Sequence, residues 1–151
     1  MNNKYFEIKE RHQKRVNEFP LMFAFSNSQF EDGMKKWGFT SEDTDKIYSI
    51  GAGGYIRKAD LEEYNKMWDE IRKEHNDLIK EDKTGDGYIK DMFVYELENH
   101  EYGYTYELDD TLNALELSYE KVMSDNALKN GLELARKEVL SKSNDNDYDI
   151  N

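Results

Sequence analysis

Residues 82–93, "DKTGDGYIKDMF", place oxygen-bearing side chains at alternate positions ahead of a glycine, as a calcium loop does. In a twelve-residue EF-hand loop the first, third and fifth residues give side-chain oxygens and a glycine turns the chain at the sixth. The seventh gives a carbonyl, and a glutamate at the twelfth binds through both oxygens. Asp82, Thr84, Asp86, Gly87 and Tyr88 match the first part, and Ile89 suits the apolar position that follows. The twelfth residue is Phe93, so the glutamate that couples the ion to the exiting helix is missing. Glu96 comes one helical turn too late, Glu81 stands where an apolar residue packs before the loop, and no second loop exists to pair with. The stretch reads first as a polar turn between helices, with Gly85 and Gly87 available for positive φ. The alternative is weak calcium binding by a degenerate EF-hand-like loop at 82–93, through Asp82, Thr84 and Asp86.

Other chemistry finds less support. "IGAGG" follows a strand pattern, but Ile56 holds the offset of the third glycine of a dinucleotide fingerprint, and "YIRK" continues extended where a helix is needed. A hairpin turn fits better. His12, His75 and His100 lack the spacing that puts two metal ligands on one helix face, and no serine sits in a nucleophile elbow. With no cysteine, thiolate catalysis, disulfides and Cys-based zinc sites are excluded, which suits the cytosol. Carboxylate pairs can be drawn almost anywhere among 33 acids and so specify nothing. No enzyme and no cofactor are expected.

The block "YELENHEYGYTYELDD" is the feature least explained by core packing. Between Asp91 and Glu120 there are nine acids and no Lys or Arg, within a chain of net charge −12. Phosphate contacts need Lys and Arg, so this asymmetry favours a basic protein surface over direct nucleic-acid binding. Spaced carboxylates can imitate a phosphate array, and tyrosines offer contact area to Arg and Lys at little entropic cost. The expected partner-binding residues are Glu96, Glu98, Glu101, Tyr102, Tyr104, Tyr106, Glu107, Asp109 and Asp110. The plainer reading buries every second tyrosine and leaves the acids as solvated surface.

Positioning these residues requires a folded core. A chain of 151 residues can bury one, and 13% aromatic content offsets a modest aliphatic count. Phe6 or Ile8, His12, Val16 and Phe19 mark an N-terminal helix that Pro20, the only proline, should end. "LMFAF" reads as a short buried strand. Ser26 or Ser28 caps a helix running through Phe30, Met34 and Trp37 to Gly38. Residues near 46–50 and 54–57 form a hairpin around Gly51–Gly54. Leu61, Tyr64, Trp68, Ile71, His75 and Leu78 or Ile79 give the strongest helix, and Ile89 to His100 another. The alternating Tyr102, Tyr104 and Tyr106 predict a strand. Further helices start at Asp109 or Asp110, Ser118 and Asp125.

The expectation is a helix-rich single α+β domain over 1–143, with a small antiparallel β-sheet from residues near 21–25, 46–50 and 54–57 and a flexible acidic tail at 144–151. No apolar run approaches the about 20 residues that span a bilayer, and the N-terminus lacks the build of a secretory signal. No membrane association is expected.

"FPLMFAFSNSQFEDGMKKWGF", "IYSIGAGGYIRKAD" and "YELENHEYGYTYELDDTLNALEL", taken in order, resemble an uncharacterised family of small acidic proteins from phages and mobile elements of low-GC Gram-positive bacteria. The likeness covers about two thirds of the chain, and "DKTGDG" lies outside it. The resemblance implies a protein acting in the cytoplasm of a bacterial host, where small acidic proteins antagonise host nucleases. The implied partner is a CRISPR effector or restriction enzyme, with the chain as a nucleic-acid mimic and inhibitor of anti-CRISPR or anti-restriction type.

Overall fold

The computed structural model describes residues 2–148, with side chains described through residue 143. The order is α1 (Lys4–Glu18), β1 (Met22–Phe23), α2 (Asn27–Lys36), β2 (Ile47–Gly51), β3 (Gly54–Arg57), α3 (Leu61–Glu81), α4 (Tyr88–Asn99), α5 (Tyr102–Thr105), α6 (Asp109–Ala114), α7 (Tyr119–Ser124) and α8 (Asn126–Tyr148). The chain is thus helix-rich α+β with a small three-stranded antiparallel sheet. It divides into two compact units, one of Met1–Arg11 with Glu74–Asn151 and one of His12–Lys73. The boundaries fall inside α1 and α3. The tail expected at 144–151 lies outside the residues whose side chains are described, although α8 runs to Tyr148.

In the unit of residues 12–73 the sheet order is β1-β3-β2, with Met22 opposite Tyr55 and Tyr48 opposite Ile56. Ala52 and Gly53 both take positive φ, as a tight hairpin matched to the strand twist requires. The Ser26 hydroxyl accepts from the Gln29 amide and caps α2, while Gly38 closes it at φ +76°. Met22, Met34 and Ile47 form a small core with Phe30, Trp37 and Tyr55 against it. The strand expected over 21–25 shrinks to two residues because only its Met22 is buried. Phe25 is 75% exposed, so the run is an edge strand instead of a buried one.

The other unit is built on α4. Ile89, Met92, Phe93, Val94 and Leu97 are all buried, which leaves this helix apolar on most of its circumference and places it at the centre. Leu128, Leu132, Ala135 and Val139 recur every three or four residues along α8 and are buried in the same core. Ser118 and Asp125 start α7 and α8 as their side-chain oxygens accept from the Lys121 and Leu128 amides.

The turn before α4 lies backbone to backbone on α8. A Cβ added to Gly85 would sit 1.9 Å from the Ala127 carbonyl oxygen, and its φ of +86° already excludes most L residues. Gly38 has similar φ but open space around it. Gly85→Ala should therefore destabilise the protein by about 3 kcal/mol or more, combining left-handed strain with overpacking, against about 1 kcal/mol for Gly38→Ala. Equilibrium denaturation checks the ordering, and equal losses would mean that the close approach does not exist.

Candidate functional site

The oxygens of the calcium-like loop serve its own backbone. Asp82 Oδ1 accepts from the Gly85 amide at 3.0 Å, and Oδ2 accepts from Gly87 at 3.1 Å and Ile89 at 3.0 Å. One carboxylate thus satisfies amides at the start of α4, where the helix dipole also favours a negative charge. The Thr84 hydroxyl donates to Asp86, and Asn130 of α8 donates to the Thr84 carbonyl at 2.8 Å. Phe93, at the place of the bidentate glutamate, lies wholly inside the core. Among the described residues no three His, Asp or Glu side chains converge where they could hold a metal ion.

Glu96 departs from the expectation of a surface residue. Its side chain is 2% exposed, on the face of α4 toward α1. Oε1 accepts from the Tyr5 hydroxyl and from Lys9 Nζ, each at 2.8 Å, and His100 Nε2 lies 3.4 Å from Oε2. The Glu96 carbonyl takes the Thr111 hydroxyl of α6 at 3.3 Å. Burial pushes the Glu96 carboxyl up, but the bonds from Lys9 and Tyr5 outweigh it and hold the carboxyl below its usual range. Burial and the adjoining Glu96 carboxylate push the Tyr5 phenol far up, so it stays a donor. The Tyr5 ring packs edge-on with Tyr88, whose hydroxyl lies 2.7 Å from His75 Nδ1. An inward carboxylate with two donors on one oxygen is a structural ion pair, and Glu96 leaves the expected partner face.

Tyr102 leaves it too. It is buried, and its hydroxyl accepts from Arg136 Nε of α8 at 2.7 Å. The strand expected over 102–106 is a single helical turn, because Thr105 and Tyr106 return their amides to the Glu101 and Tyr102 carbonyls and no strand among the described residues pairs with it. Glu101 and Tyr106 bracket α5, each at φ +58°, and left-handed backbone outside glycine costs about 1–2 kcal/mol per residue. With Tyr102 anchored and Ser143 donating to the Gly103 carbonyl, the turn projects Tyr104 and Tyr106, 79% and 64% exposed. Glu98, Glu101, Glu107, Asp109 and Asp110 are exposed on the same stretch. Of these five, Glu98 has a cation close by, Lys142 Nζ at 3.1 Å. Seven of the nine expected residues are therefore exposed, five of them acidic and two aromatic.

Tyr5, Lys9 and Lys142 were not anticipated. Tyr5 could have been found, since Tyr5, Ile8, His12, Val16 and Phe19 follow the helical spacing better than a stripe begun at Phe6. Nothing in the sequence pairs Lys142 with Glu98.

Residues 4–138 match the model of a family of unknown function, DUF7659. The chain belongs to that family. The DUF7659 match runs through 82–87, so the turn lies inside the family's span. It fixes membership without an activity, a source or a partner. No match was found among the curated proteins or the solved structures. No helix among the described residues is long and apolar enough to cross a membrane.

Three variants test the site's architecture. Asp82→Ala should cost about 1–2 kcal/mol in calcium-free buffer, the usual worth of a helix cap; stability unaffected until calcium is added would point to a metal site instead. Tyr5→Phe should cost about 2 kcal/mol by removing a donor to a buried carboxylate. Because the Glu96 carboxyl is held low, the stability it contributes is complete above the unfolded value of about 4.3 and is lost as pH falls through the lower folded value. The gap between the wild type and Glu96→Gln, measured by denaturation, should therefore stay constant above about pH 5 and close below it.

Proposed function

We propose that this protein is an acidic interaction protein that meets a basic protein surface through α5 and the start of α6. The observation that carries the reading is the pair of outward tyrosines, Tyr104 and Tyr106, on a turn that left-handed Glu101 and Tyr106 bracket, followed by Glu107, Asp109 and Asp110. Rigid aromatic rings among carboxylates suit a surface rich in Arg and Lys. Surfaces that track a nucleic-acid backbone have this composition. The partner in this reading is a nucleic-acid-targeting defence enzyme of a bacterial host, a CRISPR effector or restriction enzyme. The chain, encoded by a phage or mobile element and acting in the host cytoplasm, occupies the enzyme's nucleic-acid channel. The family resemblance supports that setting, and the acidic stretch without a basic residue supports the mimicry.

The test is infection of strains carrying such systems. The wild-type chain should restore plating of a targeted phage. A variant with Glu101, Glu107, Asp109 and Asp110 changed to Lys should fail to do so while unfolding normally, since exposed substitutions change stability by only about 0.5 kcal/mol each. Binding to the purified target should weaken steeply as salt approaches about 0.15 M, where the Debye length is about 8 Å. Equal protection by the reversal variant, or no protection by either chain across a panel of CRISPR and restriction systems, would overturn the reading.

A further inference from the structure

A cleft of about 340 Å³ opens beside the start of α1, between α4 and α8, wholly within the unit that contains the acidic face. Its size is at the lower end of the about 300–1,000 Å³ of ligand pockets, which suits one long side chain better than a folded segment. One wall is aromatic. Phe6 and Tyr95 stack with ring centroids 5.4 Å apart and planes 27° apart, and Val94 lies beside them. Asp91, Glu98 and Glu138 line the cleft as well, Asp91 Oδ2 accepting from the Lys4 amide at 2.9 Å. Ring faces next to carboxylates are what a cation on a methylene stem requires: the stem covers the rings and the head reaches the oxygens.

Three cations of the chain itself already use these groups, Lys90 Nζ lying 3.3 Å from Glu138 Oε1. Lys9 Nζ lies 5.0 Å from the Tyr95 ring centroid. Lys142 Nζ lies 3.1 Å from Glu98 Oε1 and 3.6 Å from Glu138 Oε2. Lys142 is half-buried at the cleft and is the one cation among its lining residues; with Lys90 on Glu138, two ammonium groups meet three carboxylates, which leaves the cleft one positive charge short. A planar guanidinium can lie on a ring and still give two parallel bonds to a carboxylate, a combination that an ammonium cannot match.

We infer that this cleft receives an arginine side chain of the protein partner, stacked on Phe6 and Tyr95 and bonded to Glu98 and Glu138 in place of Lys142. The inference rests on the reading of the partner as a basic protein, and it adds a defined anchoring point beside the α5 face. Glu98 belongs to both surfaces, so the anchor and the face are continuous.

The test uses the full chain and a fluorescently labelled hexa-arginine peptide, with hexalysine and spermidine as comparisons. Hexa-arginine should bind more tightly than hexalysine. Phe6→Ala and Glu98→Gln should each weaken it by about three- to tenfold. Phe6 is 38% exposed, so its truncation spares the core. Lys142→Met, which removes the internal competitor, should tighten binding. Equal affinity for the two peptides, competition by spermidine as effective as that by hexa-arginine, no effect of Phe6→Ala, or weaker binding by Lys142→Met would each overturn the inference. The α5 reversal variant separates this result from the broader reading. Arginine selectivity surviving there while protection is lost supports the anchor, and selectivity absent from a wild type that still protects defeats the anchor alone.

Discussion

A carboxylate that is 2% exposed imposes a condition on everything packed around it. Taking an ionised group from water costs several kcal/mol unless donors replace the lost solvent. Glu96 meets that condition with Tyr5 and Lys9, both from α1, so the first turns of α1 must lie on α4 in one rotational setting. A turn of α1 by one residue would present Phe6 in place of Tyr5 and leave the carboxylate short of a donor. Lys9 keeps about half of its side chain exposed while its charge reaches inward. The Glu96 carbonyl extends the same constraint to α6 through Thr111. One residue thus fixes the register of three helices, and its worth lies more in specificity than in net stability, since an apolar replacement of similar volume can be as stable.

The surface charge is partitioned in a way that this core does not require. The unit of residues 1–11 and 74–151 carries 22 acidic and 11 basic side chains, whereas residues 12–73 carry 11 and 10. Lys90 and Lys142 pair with Glu138 and Glu98 between α4 and α8, but surface pairs of this kind contribute little. Beyond them α4 ends without a basic residue in its last turn, where the helix dipole favours one, and runs into Glu98 and Glu101. Two left-handed non-glycine residues follow within the next six positions. Like-charge repulsion, an unfavourable dipole and backbone strain coincide at α5. A local conflict of that kind is the physical ground for proposing a partner at this stretch instead of at the better-compensated surface.

Elements whose signals are local were legible in the sequence. Ser26 as a cap, Gly38 as a stop, the hairpin at 51–54 and the starts at Ser118 and Asp125 all depend on neighbours within a few residues, and the structure realises each of them. What failed depends on contacts distant in sequence. The period-two tyrosines of 102–106 look like a strand, but a strand needs a partner ladder, and this segment has instead Arg136 and Ser143 of α8 to hold it. Glu96 looks like its acidic neighbours, and only the arrival of Tyr5 and Lys9 from about ninety positions away decides that it points inward. The two surface phenylalanines of "LMFAF" mislead in the same way, since an apolar run states hydrophobicity without stating which face is covered.

The loop at 82–87 shows how a turn between helices comes to share residues with a ligand motif. A chain that must leave one helix, turn sharply and start another needs a residue with positive φ and an acceptor for the first amides of the new helix. Gly85 and Asp82 meet those needs here. An EF-hand loop has the same mechanical task, so it shares the aspartate and the glycine for reasons that precede the metal. The ion adds a demand for further oxygens converging on one point, above all the glutamate at the twelfth position. In this chain that position went to the core, where Phe93 packs inside the helix that Asp82 caps, and the loop keeps the geometry of the turn while its carboxylate is committed to three backbone amides.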